Sequence, residues 1–106
     1  MLEDQDAFAT GAMTPTIEIE QVAPEEFHVR VIEGERETRH VVTMKTSEYE
    51  RISGKKVTPV ELVRRAFEFL LQRERKEQIL AKFDLTIIGV YFAEFEKVMQ
   101  QTLGNR

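Results

Sequence analysis

The chain has 106 residues, 42% of them hydrophobic and 32% charged, with a formal net charge of -4. That length makes one domain with a single packed core, and the charge exceeds the ~25% of ordinary globular chains. The absence of cysteine excludes disulfides, thiolate metal sites and cysteine nucleophiles. No apolar run approaches the ~20 residues of a membrane span, and a core without covalent staples suits a reducing compartment, so a cytoplasmic location and no membrane partner are expected.

The charge is unevenly spread. Residues 1–27 hold seven acids and no Lys or Arg, residues 28–65 hold nine Lys or Arg against six acids, and residues 66–106 balance at six each. A uniformly basic nucleic-acid binder is excluded by that distribution, whereas a locally basic middle segment stays open.

Residues 1–15 hold small residues, three acids and no sustained period, which predicts a disordered acidic tail ahead of a single α+β domain over residues 16–103. Without a basic residue, the first thirteen positions do not fit a signal or transit peptide. Thr16 to Val22 alternates Ile17 and Ile19 with Glu18 and Glu20, the pattern of a half-buried strand, and Pro24 breaks it. Phe27 to Ile32 alternates again. Gly34 in Glu33-Gly34-Glu35-Arg36 suits a type II′ hairpin, which sets Glu33 opposite Arg36, Val31 opposite Thr38 and Val29 opposite His40. With that register Phe27, Val29, Val31, His40, Val42 and Met44 share an apolar face. The expected sheet is a three-stranded antiparallel meander.

Three to four helices, packed on one sheet face, should follow. Ser47 to Ile52 is a short helix capped by Thr46 or Ser47 and ended by Gly54. Thr58-Pro59-Val60-Glu61 is a capping box with proline at the first helical position, and Val63, Ala66, Phe67, Leu70 and Leu71 then recur at helical spacing to about Arg73. Glu77 to Phe83 predicts another short helix. Asp84 should cap a last one, Leu85 to Gln101, with Gly89 inside it as a weak point.

The candidates for chemistry are few. His28 and His40 fall on opposite faces of the hairpin and cannot share a metal, and His40 reads as a satisfied boundary histidine. Ser47 and Ser53, the only serines, lack a nucleophile elbow, and the five glycines build no phosphate loop. No catalytic, cofactor-binding or metal-binding residue is therefore assigned, and no enzyme activity is expected. Arg30, Arg39, Lys55, Lys56, Arg64 and Arg65 are the candidates for a partner or nucleic-acid surface. Tyr91, Phe92 and Phe95 are the candidates for a protein interface, with a core stripe as the alternative.

Two resemblances bear on function. Over Arg39 to Arg73, the strand His40-Val41-Val42-Thr43-Met44, a short helix, a glycine turn and the capped helix beginning Thr58-Pro59-Val60-Glu61 resemble the ribbon-helix-helix regulators. That resemblance implies a dimer whose paired strands enter the major groove. Residues 58–92, TPVELVRRAFEFLLQRERKEQILAKFDLTIIGVYF, are similar to small bacterial proteins of uncharacterised function, which implies a bacterial cytoplasmic origin and transfers no site residue. The expected function is a non-enzymatic binding or protein-interaction module. Its partner would be a second copy, as a homodimer, or another protein. The alternative is a nucleic-acid-binding or antitoxin-like transcriptional regulator.

Overall fold

The computed structural model describes residues 14–104, so the tail expected over residues 1–15 lies, up to Met13, outside the described residues. Three strands follow the alternation of the sequence: β1 (Thr16–Ala23), β2 (Glu26–Glu33) and β3 (Arg36–Thr43), paired antiparallel in sequence order. The hairpin register is the one set by the turn, with Glu33 opposite Arg36 and Val29 opposite His40. Gly34 has φ 61° and Glu35 is not left-handed, the combination a type II′ turn requires. Phe27, Val29, Val31, His40, Val42 and Met44 are all buried on one face.

The chain then forms α1 (Thr46–Ser53) and α2 (Pro59–Leu71). The first turn of α1 is not capped by its own Thr46 or Ser47. Instead the Glu25 carboxylate, from the β1–β2 turn, accepts the Thr46 amide at 2.8 Å and its hydroxyl at 3.1 Å. Gly54 ends α1 as a left-handed C-cap, φ 61°, its amide bonded to the Glu50 carbonyl. In α2 the Thr58 hydroxyl accepts the Glu61 amide at 3.1 Å. The reciprocal half of the capping box is absent. The Glu61 carboxylate turns to Arg65 at 3.0 Å and Arg64 at 3.6 Å, because an i,i+4 cation competes for it on the helix surface.

Two expectations fail after α2. Residues 77–83 are not a helix. A single 3₁₀ turn, Lys76–Gln78, leads into an extended Ile79 and a short strand, β4 (Lys82–Asp84), which pairs parallel with β3. The sheet thus has four strands in the order β1-β2-β3-β4. The Val41 amide donates to the Ala81 carbonyl at 2.7 Å and the Leu85 amide to that of Thr43 at 2.8 Å. These bonds satisfy the outer edge of β3 over Val41 to Thr43 and outweigh the helical spacing of Ile79, Leu80 and Phe83.

The helix expected over Leu85 to Gln101 is two: α3 (Ile87–Tyr91) and α4 (Phe95–Gly104). Asp84 serves as a latch and not as its N-cap. One carboxylate oxygen accepts the Thr43 hydroxyl at 2.7 Å, and the other accepts the Thr86 amide and hydroxyl at 3.1 and 2.6 Å. Phe92 leaves the helical region, φ -130° and ψ 94°, and its ring meets Phe69 edge-on at 5.9 Å. Phe95 meets the same ring at 5.1 Å. Arg73 lies over that ring, 3.6 Å from its centre, and pairs with Glu94 in the break at 3.2 Å. These tertiary contacts decide where the helix stops.

The core is one cluster. It joins the buried sheet face to Leu62, Val63, Ala66, Phe67 and Leu70 of α2 and to Phe95 and Met99 of α4. Phe67 is central, its ring 5.3 Å from that of His40 and 6.0 Å from that of Phe83.

Candidate functional site

A groove of about 410 Å³ lies between the end of α2, the extended chain before β4, and α3. Leu70 from α2, Ile79 from the approach to β4, Phe83 from β4 itself, and Ile88 from α3 line it while almost wholly buried. Leu80 and Tyr91 also line it but are 46% and 66% exposed. Val90 is exposed by 73% on the same short helix. Leu80 and Tyr91, two large side chains in water at one groove, are of the kind that marks a contact surface.

One carboxylate, Glu74, stands among these apolar groups. It makes no side-chain hydrogen bond or ion pair among the described residues, and burial alone pushes its carboxyl above the usual range. Of the three cations nearest in sequence, the exposed Arg75 makes no ion pair with Glu74, and Arg73 and Lys76 are committed elsewhere. Arg73 holds Glu94. Lys76, with a side chain only 3% exposed, holds Glu33 at 2.9 Å and Glu77 at 2.8 Å. Those two carboxylates keep the Lys76 ammonium above its ordinary value.

Of the aromatic residues singled out in the sequence, Tyr91 and Phe92 line this groove, whereas Phe95 is fully buried and belongs to the core. Neither Glu74 nor Leu80 carried a functional signal in the sequence. Leu80 was concealed in the expected helix, and a lone glutamate in a chain this charged is unremarked until its surroundings are known.

The basic candidates are scattered and mostly neutralised. Arg30 and Arg39 sit directly opposite each other on the outer sheet face. Their repulsion is offset by Glu18, which binds Arg30, and by Glu37, 3.3 Å from Arg30 and 2.7 Å from Arg39. The Arg39 and Arg30 guanidiniums hold the Glu37 carboxyl below the usual range. A concavity of about 660 Å³ lies over this face, lined in part by Glu18, Glu20, Arg30 and Arg39. Lys55 pairs loosely with Glu50 at 3.6 Å, and Lys56 is exposed beside it. Arg64 donates to the Ile17 carbonyl at 2.7 Å, stitching α2 to β1, and Arg65 binds Glu61.

The histidines separate as their register requires. His28 is exposed beside Glu26 at 3.4 Å. His40 is 4% exposed, its Nδ1 2.8 Å from the Leu80 carbonyl and its Nε2 2.8 Å from the Thr38 hydroxyl. Nδ1–H donates to the carbonyl and Nε2 accepts from the hydroxyl, so the neutral ring is fully used. Burial pushes its pKa down, with the Leu80 bond opposing. Ser53 is buried and donates to the Tyr49 carbonyl at 2.6 Å. No three His, Cys, Asp or Glu side chains among the described residues are grouped to hold a metal ion. Among the described residues no helix is long and apolar enough to cross a membrane.

No protein-family model, no curated protein and no solved structure matches the chain.

Proposed function

We propose that this protein is a non-enzymatic, cytoplasmic interaction module whose groove between the end of α2, the approach to β4 and α3 receives an apolar segment of a protein partner. In this reading the helices form a layer over the Phe27, Val29 and Val31 face of the sheet and present the groove at one end. The observation that carries the reading is the pairing of an almost wholly buried apolar floor with the exposed Leu80 and Tyr91 at its rim. Interfaces concentrate their energy where an aromatic or aliphatic anchor fills such a pocket, and tyrosine is enriched there. A volume of about 410 Å³ suits one or two anchoring side chains.

The chemistry of the remaining residues supports a binding role over catalysis. Both ring nitrogens of His40 and the hydroxyl of Ser53 already have partners within the fold. The alternative, a nucleic-acid-binding regulator, draws little support from the charges. Arg30, Arg39, Lys55, Arg64 and Arg65 each face a carboxylate. In addition β3, which covers most of the ribbon strand in the resemblance to ribbon-helix-helix proteins, is flanked on both sides by β2 and β4. Over Val41 to Thr43, the centre of that ribbon, it has no free edge for a second copy.

Fluorescence anisotropy with labelled peptides tests the reading. The probe is a 15-residue peptide with leucine and tyrosine anchors at helical spacing in a neutral Ser/Gln background. Saturable binding to the full chain, lost in Leu80→Glu, is the expected result. Absence of binding, or equal binding to Leu80→Glu, overturns it.

A further inference from the structure

The groove is not purely apolar, and its one charge is uncompensated. We infer that the partner segment carries a Lys or Arg beside its apolar anchor, and that Glu74 is the residue that recognises it. This rests on the reading of the groove as a protein-docking site. It adds a requirement on the partner's charge that the apolar lining alone does not impose.

Three observations meet at Glu74. Among the described residues it is the sole carboxylate lining the groove. It lacks a hydrogen-bonding or ionic partner among the described residues, while desolvation already works against its charge. The chain's own cations do not serve it: Arg73 is bound to Glu94 and lies over the Phe69 ring, Lys76 is sequestered between Glu33 and Glu77, and the adjacent Arg75 is exposed and makes no ion pair with Glu74. A partly desolvated carboxylate without a counter-charge is unfavourable in the free protein. An acidic or neutral segment entering the groove would strip more water from Glu74 and give nothing back. A segment with a basic residue next to its anchor replaces that water with a charge-assisted hydrogen bond. Complementarity of this kind selects among partners more than it adds affinity. The exposed Tyr91 extends the apolar rim beyond the pocket, which suits a polypeptide with several contact residues. A second copy of this chain fits only if it brings a free cation to the same place.

The test uses the full chain and three versions of the anchored peptide, with Lys, Gln or Glu at the position next to the central leucine. The Lys peptide is expected to bind about fivefold more tightly than the Glu peptide, the size of a partly exposed ion pair. Glu74→Gln should abolish that preference, and Glu74→Lys should reverse it while the protein keeps its thermal transition. If all three peptides bind natively and equally, and Glu74→Gln changes nothing, the charge requirement is wrong and the apolar groove stands. If none binds, both the requirement and the groove reading fall.

Discussion

Replacing Thr58 by alanine isolates one end of α2. The Thr58 hydroxyl accepts the Glu61 amide at 3.1 Å, and its loss leaves that amide to water. Removal of an N-cap acceptor costs about 1 kcal/mol. For a domain of this size that is a fall of about 4–8 °C in Tm, or roughly 0.5 M in the urea midpoint at unchanged slope. The Glu61 carboxylate does not complete the box and instead holds Arg65 and Arg64 at the surface. Glu61→Ala therefore loses only surface ion pairs, about 0.5 kcal/mol. Urea unfolding followed by circular dichroism measures both variants. An unchanged midpoint for Thr58→Ala refutes the cap. Equal losses for the two variants would show that the reciprocal bond forms in solution after all.

Other consequences are as direct. Phe67→Ala removes a fully buried ring from between His40 and Phe83, and the urea midpoint should report a loss of about 3–5 kcal/mol; a loss under about 1 kcal/mol would place Phe67 outside the core. Gly34 holds φ 61°, and a Cβ there meets no atom within 4 Å, so the cost of Gly34→Ala is purely conformational, about 1–2 kcal/mol. A native-like midpoint for that variant would contradict the type II′ turn. The pKa of His40 is lowered by burial, so the unfolded chain takes up its proton first as the pH falls below 6.5. Stability is then full above that pH and declines below it until the folded ring also protonates, at no more than ~1.4 kcal/mol per pH unit. The decline between pH 7 and 5.5 should be smaller in His40→Gln, and an identical pH profile for the two proteins would remove His40 as its source.

The legible parts of the fold were those specified locally. The β2–β3 register follows from one glycine and the alternation on either side of it, and α2 from Thr58, Pro59 and an apolar stripe. What the sequence concealed depends on distant partners. The cap of α1 comes from Glu25, 21 residues earlier. The strand β4 has three residues, none β-branched, and its latch joins Asp84 to Thr43, 41 residues away. The spacing of Ile79, Leu80 and Phe83 reads as helix until β3 offers an open edge. The last helix breaks because Phe69 and Arg73, on and after α2, claim Phe92 and Glu94. The same two failures conceal the candidate site. Tyr91 and Phe92 stood out as aromatics, but the groove they line lies between the end of α2, the extended chain before β4, and α3. Glu74 gains its meaning from that groove alone.

The most direct test of the docking groove is amide chemical-shift mapping of the neutral anchored peptide on the ¹⁵N-labelled full chain. The account predicts the largest changes at Leu70, Glu74, Ile79, Leu80, Phe83 and Tyr91, with the outer sheet face unmoved. Changes centred on Arg30 and Arg39, with the groove amides unmoved, would contradict it.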